Sequence, residues 1–503
     1  MSVDARSIRV ALVAVVIAAL AGCAVGPDYK RPPVITPAAY KEVEGWKVAE
    51  PGEFTLRGAW WETFGDPTLN ELESRVSAAN QTLMAAAANY RQATALVREA
   101  RAGFFPTVTI GAGYTRSQVS STLTSSGSNA NATAGALTGG VSRTTGRPTN
   151  FFQMPIDVSW TPDFWGRVRR TVESNQAAAQ ASAGDLETAR LSLQAELAQD
   201  YFQMRALDAQ RKLLDETVTA FEQSLELTRT RYRGGVASQV DIVQAETQLE
   251  TTQAQAIDVG VQRAQFEHAI ALLTGQPAST FALPAAPLTT PPPAVPIGVP
   301  SKLLERRPDI AAAERRMAAA NAQIGVALAA FYPTVTLSGS AGFESSSIAQ
   351  WLTWPSRFFS VGPSISQTVI DGGLRRAQTD QAHAAYDNSV ANYRETVLTA
   401  FQNVEDNLAA LRILESEADV QDRAVRAARR SVTLTTVQYR AGTVSYLNVI
   451  TTQTIALANE VTAVQILGRR MTATILLVQA LGGGWNTAEL PSAAAVTERT
   501  TQR

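Results

Sequence analysis

The sequence predicts a mixed α+β membrane protein built from a duplicated unit. Four β-strands per chain would close as a trimeric 12-stranded β-barrel, and long coiled-coil helices would form an α-helical barrel. Three observations carry this reading. First, Phe104-Phe105-Pro106-Thr107-Val108-Thr109-Ile110 returns as Phe331-Tyr332-Pro333-Thr334-Val335-Thr336-Leu337, and Tyr232-Arg233-Gly234-Gly235 returns as Tyr439-Arg440-Ala441-Gly442, the mark of an internal repeat. Second, apolar residues alternate with Thr, Ser and Gly after each Pro motif, the period of a strand with two unlike faces. Third, Val390, Val397, Val404, Leu411, Ala418, Val425, Val432 and Tyr439 recur every seventh position with no Pro between them, which is coiled-coil spacing.

Composition sets the limits. The 503 residues carry a net charge of −1, so no general field exists to hold nucleic acid. Hydrophobic residues make up 45% and charged residues 18%, which excludes a mostly disordered chain. One Cys and two His cannot build a disulfide framework or a four-ligand zinc site.

The elements follow in order. Residues 1–22 run from Arg6 and Arg9 into an apolar core and small residues, a secretory signal peptide by its short length and flanks. Leu20-Ala21-Gly22-Cys23 resembles a bacterial lipobox, so Cys23 is the expected acylation site and 23–66 an extended lipid-anchored segment. The first repeat occupies 67–283, with a helix, a β-hairpin over 104–165, a long helix over 168–232 and a further helix over 238–275. Within its hairpin, 117–150 is rich in Ser, Thr, Gly and Asn and reads as a long exposed loop. Residues 284–300, with Pro291-Pro292-Pro293, form a stiff linker. The second repeat, 301–484, has a helix over 308–331, a hairpin over 333–371, a long helix over 374–440 and a helix over 445–481. A tail spans 485–503.

Closure decides the assembly. Four strands of membrane-spanning length leave open edges in lipid, and barrels in membranes need about eight or more. Three chains would supply twelve. Trp160, Phe164 and Trp165 near one end, with Trp351, Trp354, Phe358 and Phe359 near the other, fit interfacial aromatic girdles. The heptad rods, roughly 100 Å long at 1.5 Å per residue, are too long for a compact globule.

The sequence resembles the outer membrane efflux protein family, the TolC-like outer membrane factors, in its lipoprotein branch serving RND pumps. The residues carrying the likeness are Cys23-Ala-Val-Gly-Pro-Asp-Tyr-Lys-Arg-Pro, Trp60-Trp61-Glu-Thr-Phe-Gly-Asp66-Pro67, Arg306-Arg307-Pro308-Asp309-Ile310-Ala-Ala-Ala-Glu314, Phe331-Tyr332-Pro333 and Tyr439-Arg-Ala-Gly442. The resemblance implies a homotrimer in the outer membrane with its helical barrel in the periplasm. It also implies a periplasmic adaptor and an inner-membrane RND-type pump as partners. Function is then that of a passive exit duct for small molecules such as drugs and toxic compounds. A duct for type I protein secretion and a ligand-binding lipoprotein without a pore are the alternatives.

A duct needs no catalysis, and the sequence offers none. His268 and His383 are far apart on helical stretches. Gly482-Gly483-Gly484 lacks the Lys and Ser/Thr of a phosphate loop, so neither cofactor nor metal is expected. The candidate functional positions lie where the long helices turn, at Gly234, Gly235 and Gly442. Just beyond are Asp241 and Gln244 in the first copy, and Tyr446, Leu447, Asn448 and Thr451 in the second. The resemblance implies paired acids at the second-copy positions in some relatives, forming a ring that closes the pore and binds cations. Here Asn448 and Thr451 stand there, leaving Asp241 as the charged group. Asp241 either caps its helix or pairs with Arg233 or Arg440. Closure is expected from hydrogen bonds of Asn448 and Thr451, apolar contact from Tyr446 and Leu447, and an Asp241–Arg pair.

Overall fold

A computed structural model describes residues 24–34, 36–42, 58–118, 148–295 and 300–497. The expected signal peptide, Cys23 and most of the 117–150 loop lie outside the described residues, as do parts of the linker and of both terminal segments. The chain divides into two compact units. One comprises Met1–Tyr29, Leu96–Ser174 and Asn321–Ala384; the other comprises Lys30–Ala95, Asn175–Ala320 and Ala385–Arg503.

The first unit contains an antiparallel sheet of five strands: β1 (Thr107–Ile110), β2 (Gly113–Ser117), β3 (Thr149–Trp160), β4 (Thr334–Ser345) and β5 (Arg357–Ser366). The order is β1-β3-β4-β5, with β2 also on β3. The single strand expected before the loop is therefore broken in two. Ile110 faces Ile156 and Gly113 faces Gln153, so β1 and β2 keep one register, and the break falls opposite Pro155. Proline has no N–H to give the ladder; only its carbonyl is used, accepting from Gly111 N at 3.0 Å.

The two copies meet where β3 pairs with β4. Met154 faces Phe343, Pro155 faces Gly342 and Trp160 faces Leu337. A side chain at Gly342 would lie 2.0 Å from the Met154 carbonyl oxygen, so the closest approach of the repeats requires glycine there. Registers align Val108 with Val158, Val158 with Gly339 and Gly339 with Val361. One face thus carries Val108, Ile110, Ile156, Val158, Phe359 and Val361, while Thr107, Asp157, Ser159, Ser338, Ser340 and Ser360 occupy the other. The apolar face is open in a single chain, with Phe359 83% and Val361 85% exposed. At 12 residues for β3 and β4, the strands reach the ~9–11 needed to cross a bilayer.

Aromatic residues gather at both strand ends. Tyr114, Phe152 and Trp351 follow one another at 4.7 and 5.6 Å between ring centres. At the other end Trp165 stacks on Tyr332 at 4.9 Å, and its indole N–H donates to Pro333 O at 2.7 Å. Each copy enters its long helix through the same device. Asp163 accepts from Val168 N and Arg169 N, and Asp371 accepts from Gly373 N and Arg375 N. A carboxylate there satisfies the orphan N–H groups of a helix start.

The segment after Cys23 is fastened to this unit. Val25 N donates to Trp165 O, and the buried Arg170 guanidinium donates to Val25 O, Gly26 O and Asp28 Oδ1. Asn321 Nδ2 donates to Pro27 O at 2.9 Å. A Cβ on Gly26 would come within 2.5 Å of Gly325 Cα, which explains the glycine in this motif.

The second unit is helical. Its elements are α1 (Pro67–Ala79), α2 (Gln81–Ala102), α3 (Arg167–Arg233), α4 (Gln239–Leu273), α5 (Pro300–Arg306), α6 (Pro308–Ala329), α7 (Leu374–Arg440) and α8 (Tyr446–Ala480); α2, α3, α6 and α7 also run into the first unit. Helices α3 and α7 have 67 residues each, and α4 and α8 have 35 each. The repeat is therefore preserved in helix length. Small residues set the packing distance: a Cβ on Gly184 would meet Pro308 O at 2.9 Å, and one on Gly468 would meet Ala206 Cβ at 3.1 Å. The heptad residues Val397, Val404, Leu411, Val425 and Tyr439 are buried.

Several sequence motifs have structural roles here. Asp66 caps α1 by accepting from Thr68 N and also accepts from the Tyr201 hydroxyl at 2.6 Å. Buried Asp208 accepts from Arg205, Arg263 and Ala286 N, tying the start of the linker to α3 and α4. Gly482 has a φ of 93°, and a Cβ on it would lie 2.1 Å from Arg306 O. The triple glycine thus allows close passage beside the Arg306-Arg307-Pro308 motif.

Candidate gate at the helical tips

Two helical hairpins make the tip region, α3–α4 and α7–α8. Both turn through the same local code. Gly235 (φ 74°) and Gly442 (φ 78°) adopt the left-handed conformation, which costs other residues a Cβ clash. Val236 N donates to Arg231 O and Thr443 N to Gln438 O, closing each helix C-terminus with the six-to-one hydrogen bond of a glycine cap.

Re-entry differs between the copies. Ser238 Oγ accepts from Asp241 N at 3.2 Å while the Asp241 carboxylate accepts from Ser238 N at 2.8 Å. This is a reciprocal capping box. In the second copy Asn448 Nδ2 donates to Ser445 Oγ at 3.3 Å. Amide replaces carboxylate, and the side-chain bond reverses direction.

Within one chain, two groups of the expected closure have other partners. The Asp241–Arg pair is not formed within the chain. The Asp241 carboxylate is engaged by Ser238 N, Arg233 Nη2 donates to Glu226 at 3.1 Å, and the contact at Arg440 is its carbonyl, accepting from Arg231. A capping carboxylate also gains from the positive end of the helix dipole, without a long side chain having to be ordered at the surface. Tyr446 is not a surface contact either: it is 2% exposed. It packs with Phe221, Leu225, Leu249, Tyr439 and Val449 in the core joining the two hairpins. Burial pushes its hydroxyl above the usual phenol range. Leu447, Asn448 and Thr451 are exposed, and Gln244 is half-buried. Thr451 Oγ donates to Leu447 O of its own helix, leaving its acceptor lone pairs outward.

Of the groups that bind one hairpin to the other, Tyr446 was a candidate, while Ser224, Thr228, Arg231 and Tyr439 were not. Ser224 Oγ and Tyr446 Oη lie 3.1 Å apart, and Thr228 Oγ and Tyr439 Oη 3.4 Å apart. Arg231 Nη1 donates to Arg440 O at 3.0 Å, and its guanidinium carbon sits 4.7 Å from the Tyr439 ring centre. The available signal was the repeat itself: Arg231 aligns with Gln438 in the second copy, so the cation is a departure from internal symmetry. Within hairpins, Arg229 pairs with Glu246 at 2.8 Å and Arg429 pairs with Glu460. His268 and His383 are exposed on α4 and α7. Among the described residues no cluster of His, Cys, Asp or Glu is placed to hold a metal ion.

The model of the family described as "Outer membrane efflux protein" matches residues 72–276 and 299–483. The chain belongs to the outer membrane efflux protein family. The two matched stretches are the two copies of the repeat. Similar efflux proteins include the pyoverdine export outer membrane protein OpmQ of Pseudomonas aeruginosa, 30% identical over 427 residues (85% of this chain, 87% of the relative). The probable efflux pump outer membrane protein TtgC of Pseudomonas putida is 30% identical over 472 residues, 93% of each chain. Among solved structures, the outer-membrane channel OprN matches with a TM-score of 0.82 at 30% identity, covering 92% of this chain and all of its own. As an outer membrane efflux protein, this chain serves as an exit duct of an efflux system in the cell outer membrane.

Proposed function

We propose that three copies of this chain form a passive duct for small molecules, twelve strands closing one barrel and the six helical hairpins bringing their tips together. The observation carrying this is the sheet. It has one apolar and one polar face, and its outer strands β1 and β5 have no partner on their far sides among the described residues. Open edges cannot stay in lipid. Further copies of the same edges would satisfy them.

In this reading Cys23 is acylated. The support is the lipobox-like run Leu20-Ala21-Gly22-Cys23 in the sequence, followed by Val25, Gly26 and Asp28, which are held by Trp165 and Arg170. A periplasmic adaptor and an inner-membrane RND-type pump supply energy and selection, and the duct itself catalyses nothing. Exposed Leu447, Asn448 and Thr451 from the three copies narrow the mouth. Asp241 maintains the tip helix instead of pairing across it.

Single-channel recording in planar bilayers tests the gate. Replacing Asn448 and Thr451 by Ala should raise conductance while crosslinked trimers persist. Unchanged conductance with intact trimers would place the constriction elsewhere.

A further inference from the structure

The five strands carry four charged residues, Arg116, Asp157, Glu344 and Arg357, and the register sorts them by sign. Arg116 faces Asn150 and Arg357 faces Phe343, while Asp157 faces Ser340 and Glu344 faces Gln153. Residues two apart in a strand share a face. Arg116 therefore stands with Tyr114 and Phe152, and Arg357 with Phe359 and Val361, on the apolar face. Both carboxylates stand on the polar face. Each arginine is exposed, and among the described residues neither has a carboxylate partner. The Arg357 guanidinium carbon lies 3.8 Å from the centre of the Trp354 ring, itself 73% exposed.

An arginine on a lipid-facing surface is costly at mid-bilayer and tolerated close to the headgroups. Arg116 is the last residue but one of β2, and Arg357 is the first of β5, so both stand at the strand ends that carry Tyr114, Phe152 and Trp351. The 118–148 connection leaves β2 at this end, and in outer-membrane barrels the long connections are external. The anion available at that depth is the lipid phosphate. A cation–π contact consumes no N–H, so Arg357 keeps its planar donor fork for two phosphate oxygens. We propose that Arg357, beside Trp354, and Arg116 bind the phosphate-monoester headgroups of outer-leaflet lipids. This rests on the barrel reading, in which the apolar face meets lipid.

The experiment reconstitutes the full-length protein in dioleoylphosphatidylcholine vesicles with trace spin-labelled phosphatidic acid or spin-labelled phosphatidylcholine. Electron spin resonance separates lipid immobilised at the protein from bulk lipid and gives the relative association of the two. Phosphatidic acid should be preferred at least about twofold: about fivefold at each arginine, averaged over a lipid ring that mostly touches apolar side chains. Arg116→Gln combined with Arg357→Gln should abolish the preference. Each single variant should lose part of it, which keeps the test open if the pair fails to trimerise. Asp157→Asn with Glu344→Gln should leave the preference unchanged, because those groups are on the other face. Exchanging chloride for inorganic phosphate at equal ionic strength should also leave it unchanged. Equal association of the two lipids with wild type, a preference that survives loss of the arginines or falls equally with the carboxylates, or one lost in inorganic phosphate would overturn the proposal. Trimer migration and bilayer conductance of the wild type read the barrel separately. Conducting trimers without lipid preference refute this site alone, and absent trimers refute both.

Discussion

Arg231 is the long-range tie whose removal has the clearest consequence. The Arg440 carbonyl belongs to the last turn of α7, where no intrahelical N–H is available; it receives one from Arg231 on the other hairpin at 3.0 Å. Arg231→Ala deletes that charge-assisted hydrogen bond and a cation–π contact at 4.7 Å. Unscreened, these would sum to roughly 2–4 kcal/mol. The hydrogen bond lies at the exposed tip, and Arg231 Nε is itself buried without a partner, so screening and the relief of that mismatch reduce the effect to about 1–2 kcal/mol. At 1.4 kcal/mol per factor of ten, local separation of the hairpins should become roughly 5- to 30-fold more populated. Hydrogen exchange followed by mass spectrometry reads this directly on peptides covering Gly442 and Thr443, whose amides close the turn. Arg231→Lys should fall between wild type and Ala, because an ammonium keeps the charge but not the planar fork. Exchange at the α7–α8 turn that is the same in Arg231→Ala and wild type would refute the argument that this residue couples the hairpins.

Three further outcomes are expected. Glu73 is fully buried on α1 with neither carboxylate oxygen bonded, and burial raises its pKa from 4.5 to about 9. The unfolded chain then releases this proton above pH ~4.5 while the folded chain keeps it to about pH 9, so stability falls as pH rises between them, by about 3 kcal/mol at pH 7; Glu73→Gln should flatten thermal stability between pH 5 and pH 8, and a parallel slope in the variant would exclude Glu73 as its source. Gly342→Val should abolish SDS-resistant trimers because its Cβ cannot pass the Met154 carbonyl, whereas Gly339→Ala, with its nearest neighbour at 3.6 Å, should keep them; trimers in both would show that β3–β4 pairing tolerates the side chain. Cys23→Ser should lose metabolically incorporated palmitate yet still reach the outer membrane, since the strands carry their own anchor; a wild-type protein without label would remove Cys23 as the lipid site.

The tip shows where sequence reasoning reached and where it stopped. Gly235 and Gly442 were legible because a positive φ between two helices selects glycine, and a cap was one of the two roles open to Asp241. The choice between cap and ion pair was not legible, since it depends on where Arg233 and Arg440 point. The place of Tyr446 in the core was not legible, because its neighbours Phe221, Leu225 and Tyr439 come from other helices. The broken first strand was likewise hidden. Pro155 lies in β3, and its effect is felt at Gly111 in the strand beside it.

By itself the sequence determined the duplication, which shows when the chain is compared with itself, and the period of each element, the turns and the membrane character, which depend on residues within a few positions of one another. Only the tertiary structure decided which carboxylate pairs with which cation, which aromatic rings are core, and where backbones approach too closely for a Cβ. Those contacts join residues more than a hundred positions apart, such as Arg231 to Arg440, Arg170 to Asp28 and Met154 to Gly342. Their energies depend on distance and burial, which no local pattern encodes.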